Sequence, residues 1–556
     1  MHHPNTAKLG GHEISRCTTT PATRGRPRKN QLPTSTPSFA RPHQTISINF
    51  NQDAIMGPLD SACPEITPDF VSHCFEGLKY NPQYAHPLIT KTSIRSGVRS
   101  AAYQLDVLPP QSRVLGYCSV AYAALSSFHA SVLGDGPRPY SFLDQDFFSS
   151  SSELLSCGIR RVATYRALRS KALKIAWEAG IILVPSNENA ASCYLLDLME
   201  QSDFGSAGRP WANAYLAHVR ALVPGWRATS SYTTADANEW GNFLMAEGLV
   251  SARSRTVVIV TPHDQLLLSG SEPQSLEALL TSLEHSANDS SLTFLWASTR
   301  PYFLHVTNLS RDLYDTVNVA RLCPLSEVAV LNFLDSLSKL HTILCLLLDR
   351  IDIVITVPGT TPSTVHDESS IDTVARATAY SLCFGFAGLA LPFFREVQYR
   401  ETNDVTSQSE RTRERLKALR KQVYGMAVLG GKALAKGIRY LPKIHYTPVH
   451  WATVRMCAEF VADEAGEVSP DGLSAELVRD LETFADELKL LGYSLEAAST
   501  PQTLALIERL ESYVNQAVVA MFLPVEDTAW MSMQQDADLI LPWTEFFSDE
   551  PINTRI

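Results

Sequence analysis

Between residues 159 and 226 the chain sets out three apolar stripes of helical period, each closed by its own punctuation, and this constrains the fold class more than any other feature. In the first, Val162, Tyr165, Leu168, Ala172, Ile175 and Ala179 recur at three- and four-residue steps, which places them on one face of a helix that Gly180 ends. Pro185 and Ser186 restart the chain. Ala191, Tyr194, Leu195, Leu198 and Met199 then fall at i, i+3, i+4, i+7 and i+8, with Glu188, Asp197 and Glu200 off the centre of the stripe. Pro210 follows a glycine-containing loop and suits a first helical turn, whose N–H groups have no partner within the helix. Trp211, Tyr215, Val219 and Leu222 line a third helix, which Pro224 is expected to stop.

The same period extends well beyond this stretch. Helices are expected over 113–132, 238–250, 274–285, 325–349, 371–394, 442–459, 474–492 and 503–522, so the class is all-α, a large multi-helix bundle over residues 63–524. The β-branched run 257–260 reads either as a strand or as a buried helical turn, because periodicity does not separate the two. SERTRERLKALRK (409–421) reads as a solvated helix, with a DNA-contacting face as the alternative. Apolar runs at 379–394 and 343–357 fall short of the ~20 residues that span a bilayer, and Gly385, Gly388, Pro392, Asp349, Arg350 and Asp352 interrupt them, so no membrane span is expected.

Enzyme chemistry finds no support in the motifs. GMAVLGGKA (425–433) fails as a phosphate loop: its glycine spacing is one residue too long, and Ala433 stands where magnesium needs a hydroxyl. His263 and Asp264 read as a helix start. No Asp-rich diphosphate site and no G-x-S-x-G occurs. The ten cysteines are scattered without a C-x-x-C, and several, such as Cys193 and Cys345, lie on apolar helix faces, which reads as reduced, buried thiols. The expectation is a protein that is not an enzyme and carries no cofactor.

Charge separates the two ends from the middle. Residues 1–50 hold seven Lys/Arg against one Glu, whereas 525–556 hold seven Asp/Glu against one Arg. Residues 1–62 are rich in Pro, Thr, Ser and Asn and read as a disordered basic arm. Within it RGRPRK (24–29) resembles the AT-hook. Gly25 lets the backbone approach the groove floor and Pro27 keeps the segment extended. Arg24 and Arg26 can then enter a narrow A·T-rich minor groove while Arg28 and Lys29 meet phosphates. A nuclear import signal is the alternative reading. In 525–556, Trp530, Leu539, Leu541, Trp543, Phe546 and Phe547 are interspersed with carboxylates that keep them solvated. That reads as an acidic activation segment captured by coactivators as a short helix, or as a tail docking back on the bundle.

The order of residues in SNENAASCYLLDLMEQ, a turn, and RPWANAYLAHVRAL is similar to the middle homology region of fungal zinc binuclear cluster transcription factors, through Ser186, Leu195, Leu196, Trp211, Tyr215, Arg220 and Leu222. The similarity extends to LGDGPRP (133–139), RSRT (253–256) and HYTPVHWATVR (445–455). It implies a nuclear regulator of RNA polymerase II genes that contacts DNA through the arm, recruits coactivators through the tail, and uses the helical body for small-molecule sensing or homodimerisation. The resemblance departs at one point. The family's six-cysteine zinc cluster is not in the chain, since only Cys17 precedes residue 63. SRCTTTPATRGRPRK then reads as the tail of a cluster encoded upstream of Met1, as the remnant of a lost one, or as an unrelated cysteine, and zinc is expected only in the first case. The rival expectation is a helical interaction protein that has lost DNA binding and pairs with intact family members; an unfamiliar helical enzyme is the third.

Overall fold

The computed structural model describes residues 63–204, 209–229, 232–286, 292–318, 325–356, 371–403, 410–468 and 472–522, and among them there is no strand. The all-α expectation holds. Numbering only helices of eight residues or more, the first half contains α1 (Pro68–Gly77), α2 (Pro110–Ala123), α3 (Ser151–Glu178), α4 (Asn187–Phe204) and α5 (Pro210–Ala228). It continues with α6 (Thr234–Ser254), α7 (Pro262–Ser269), α8 (Leu276–His285) and α9 (Leu292–Asp312). The second half contains α10 (Glu327–Thr356), α11 (Ile371–Asn403), α12 (Glu410–Tyr440), α13 (Trp451–Gly466), α14 (Ala475–Gly492) and α15 (Pro501–Phe522). The arm residues 1–62 and the tail residues 525–556 lie outside the described residues.

The three central helices form, with three corrections. First, α3 begins well before residue 159, and its buried face includes Arg161 while Ala179 is exposed and Val162 and Ile175 are half-buried. An apolar stripe cannot anticipate a buried guanidinium. The reason is local: helix α2 stops at Ala123, short of the expected 113–132, and Arg161 Nη1 donates to the freed carbonyls of Ala124 and Ser127 while its guanidinium lies 4.4 Å from the Tyr493 ring centroid. Second, α4 is not one-sided. Residues 190–199 are buried all round, Asp197 included, because α4 runs between other helices on every side. Third, Pro224 does not stop α5, which continues to Ala228. Val223 and Trp226 are buried beyond or beside it, and Trp226 Nε1 donates to Asn187 Oδ1 at 3.1 Å. That burial offsets the roughly 3 kcal/mol an interior proline costs.

Elsewhere the boundaries move for similar reasons. The 257–260 run is neither strand nor helix but a bent connection with Val258 and Val260 buried. Residues 425–433 lie in the middle of α12, where helix bonding occupies the backbone N–H groups that a phosphate loop would need. Leu416 and Leu419 are buried while Glu410 and the other residues of the helical segment 413–421 are largely exposed. Cys345, expected to be buried, is exposed, whereas Cys74, Cys118, Cys157, Cys193, Cys383 and Cys457 are buried free thiols. Two helices are long and apolar enough to cross a membrane by length and composition, Glu327–Ile355 and Ile371–Thr402; the apolar window of the second is 83% buried inside the protein, as in a core helix.

Two hydrophobic cores organise the body. One gathers α1 to α5, and the other gathers α8 to α15. Helix α6 belongs to both: Trp240 and Leu244 pack in the first, Met245, Leu249 and Ala252 in the second. Its start is set by a capping box, in which Thr233 Oγ1 accepts from the Asp236 N–H while the Asp236 carboxylate accepts from the Thr233 N–H. Its end is set by Arg255 at φ 56, a left-handed stop. Gly385 and Gly388 of α11 let α6 approach closely, since a Cβ at Gly385 would lie 2.7 Å from Met245 Sδ and one at Gly388 would lie 3.0 Å from Leu249 Cδ2.

Candidate functional site

Where the two cores meet along α6 they leave a chamber of about 200 Å³, partly open to solvent, with Ala377 exposed at its edge. Helix α4 supplies Tyr194 and Leu198, α5 supplies Tyr215, α6 supplies residues from Trp240 to Arg253, and α11 supplies Tyr380 and Phe384. The 441–450 connection closes it with Thr447 and His450, and residues 82–86 add His86. The lining is mainly apolar, with Tyr194, Tyr215, Trp240, Phe243, Tyr380, Phe384 and two histidines among the aliphatic side chains. His86 lies against Tyr194 with centroids 3.9 Å apart and against Phe243 at 4.1 Å, and His450 lies 4.4 Å from Phe384.

Two guanidiniums come close to this chamber, and their surroundings are opposite. Arg209 sits in the loop before α5 at φ 29, a backbone conformation unusual for a side-chain-bearing residue. Its side chain is locked between two carboxylates: Nη2 and Nε donate to Asp197 Oδ2 and Oδ1 at 2.5 and 3.2 Å, and Nη1 and Nη2 donate to Glu247 Oε2 and Oε1 at 2.6 and 2.9 Å. Burial opposes the charged form, but Glu247 and Asp197 more than compensate and hold the guanidinium well above its ordinary pKa. One cation cannot fully neutralise two carboxylates. The shortfall falls on Asp197, whose carboxyl is pushed up by burial against the pull of Arg209, with Glu247 adding to the rise. Both Glu247 oxygens, which also line the chamber, are therefore committed to Arg209.

Arg253 lies in the last turn of α6, two residues before the left-handed stop. Its one hydrogen bond goes from Nη1 to Thr453 Oγ1 at 3.3 Å, and no carboxylate of the described residues lies within ion-pair distance. Burial, then the charge of Arg209, lowers its pKa to about 10. The helix C-terminus offers it only partial negative charge. The histidines beside it are neutral. Tyr380 Oη and His450 Nδ1 share a hydrogen bond at 2.7 Å, and burial, His445 and Arg253 together push the His450 pKa down to about 3. His86 Nδ1 accepts from the Leu88 N–H at 3.1 Å, so its proton sits on Nε2, and burial holds it well below its usual pKa. Trp240 Nε1 is buried without a hydrogen-bond partner. The chamber is thus an apolar and aromatic pocket in which Arg253 and two neutral histidines stand beside the amides and hydroxyls of Gln201, Asn242, Ser381 and Thr447.

The residues singled out from sequence for DNA contact (Arg24, Gly25, Arg26, Pro27, Arg28, Lys29), the activation residues (Trp530, Leu539, Leu541, Trp543, Phe546, Phe547) and Cys17 all lie outside the described residues. His263 and Asp264 stand at the start of α7, as read: Thr261 Oγ1 and Asp264 form a capping box, and Asp264 also accepts both bonds of Arg220 at 2.7 Å. Sequence reasoning overlooked the chamber. One signal was present, because Met245, Leu249 and Arg253 continue a single four-residue step, placing a guanidinium on an apolar stripe. No family model, no curated protein and no solved structure matches the chain.

Proposed function

We propose that the chain is a fungal nuclear transcription regulator whose helical body is its effector-responsive module. The observation that carries this reading is the chamber at the seam of two cores. A ligand there touches α4, α5, α6 and α11 at once, so its binding energy can change how the two halves pack, and pockets at such seams are common sites for small molecules. The order of the chain supports the rest: the basic RGRPRK arm, the body that resembles a middle homology region, and the acidic aromatic tail follow one another as they do in the zinc cluster family. In this reading Arg24 and Arg26 meet A·T-rich DNA, and the segment around Trp543 and Phe546 recruits coactivators.

The test is a duplex-binding assay with the full chain on A·T-rich and G·C-rich DNA. Preference for A·T-rich duplex, lost in Arg24→Ala/Arg26→Ala and weakened steeply by salt, is the expected result. Indifference to both duplex composition and the double substitution overturns the DNA-contact reading and leaves a helical protein that pairs with other regulators.

A further inference from the structure

The chamber's chemistry identifies the class of effector. Arg253 is half-buried at the cavity, and drawing a guanidinium out of water is costly unless a counter-charge or hydrogen bonds replace the water. Arg209 shows one way this protein satisfies a buried arginine, two carboxylates clamping it with four hydrogen bonds, and Arg161 shows another, its Nη1 donating to the Ala124 and Ser127 carbonyls. Among the described residues Arg253 has only the Thr453 hydroxyl as a hydrogen-bond partner, and it is half-buried in the cavity lining. The neutral His86 and His450 rings line the same space, while the one carboxylate in the lining, Glu247, has both oxygens bonded to Arg209. An acceptor bearing one negative charge satisfies this arrangement. A cation does not, because it would meet Arg253 with no free carboxylate.

The body of the ligand follows from the walls. Tyr194, Tyr215, Trp240, Phe243, Tyr380 and Phe384 line the cavity from α4, α5, α6 and α11. A dry cavity of ~150 Å³ is enough to hold benzene, so about 200 Å³ accommodates one aromatic ring with a short acidic arm. We propose that the chamber binds a small aromatic monocarboxylate, its ring held between the tyrosine and phenylalanine walls and its carboxylate paired with Arg253. The assignment rests on the effector-module reading above and names the ligand class for that same site. Binding would join the two cores, since Arg253 sits on α6 and the ring walls come from α4 and α5 on one side and α11 on the other.

Calorimetric titration of the full chain with phenylacetate, its neutral isostere phenylacetamide and the cationic phenethylamine tests this directly. The expected result is one site for phenylacetate, with the amide and amine bound at least tenfold more weakly. Arg253→Gln should lower phenylacetate affinity to that of the amide, Arg253→Lys should retain part of the preference, and Leu249→Trp, which enlarges a buried lining side chain of α6, should weaken binding of all three. If Arg253→Gln does not fold, the comparison of acid with amide in the unaltered chain still decides the matter. Equal affinity for acid and amide overturns the anion assignment but leaves an effector site; no binding of phenylacetate overturns the assignment altogether. Specific phenylacetate binding by a chain that ignores DNA in the duplex assay would instead overturn the transcription reading while leaving the chamber's ligand class in place.

Discussion

Arg209 and Arg253 stand near the same cavity and carry the same group, yet one is buried between Asp197 and Glu247 and the other is half-buried with a threonine hydroxyl as its one hydrogen-bond partner among the described residues. The first is held above its ordinary pKa and the second is pushed down to about 10. The difference separates a buried charge that the fold has already matched from one whose matching group is not supplied by its neighbours. A paired charge is part of the architecture, and removing it strands its partners. An unmatched one costs stability in the free protein and gains it when a ligand arrives.

The strongest way to break this contrast is Arg209→Met, which leaves two buried carboxylates facing each other. A loss of roughly 3–5 kcal/mol in urea unfolding is expected. Glu247→Gln keeps the shape and one full carboxylate on Arg209, and should cost about 1–3 kcal/mol, the range for a broken charged hydrogen bond. Arg220 adds an intermediate case: its pair with Asp264 is bidentate, but its own side chain is 44% exposed, so Arg220→Ala should cost no more than about 1 kcal/mol at neutral pH. That cost is pH-dependent with a definite sign. Burial would raise the Asp264 pKa, but the bonds from Arg220 and Thr261 outweigh it and lower it, so the stabilisation is present above the ordinary aspartate range near ~4 and is lost as pH falls through the lowered value. The gap between Arg220→Ala and the unaltered chain should therefore close in acid unfolding series. The smallest effect is expected for Arg253→Met without ligand, within about 1 kcal/mol in either direction, because no carboxylate is left stranded.

The same contrast explains what was legible in the sequence. Helices with sustained apolar steps, such as 474–492 and 503–522, are legible to within a few residues, and in the structure Ser474 caps the first while Pro501 opens the second. Buried polar groups were not legible. Nothing in a periodic pattern announces that Arg161 replaces the lost bonds at the end of α2, that Asp197 is enclosed within α4, or that Arg209 closes a clamp 12 residues from Asp197 and 38 from Glu247. These depend on tertiary neighbours, and each overrode a local reading: a stripe, an amphipathic face, a turn. The chamber was hidden for the same reason, since its walls come from segments between 82 and 450 that meet only after α6 is shared by both cores. The arm and tail motifs are local sequence features, legible as motifs and independent of this packing.

The most direct measurement of the central claim is a thermal melt of the unaltered chain and of Arg253→Met, each with and without phenylacetate. The account predicts that the two melt together without ligand and that only the unaltered chain rises with it, because only there does a carboxylate find its counter-ion. It is contradicted if Arg253→Met alone loses as much stability as Arg209→Met, which would make Arg253 a structural charge, or if both chains rise equally with the acid.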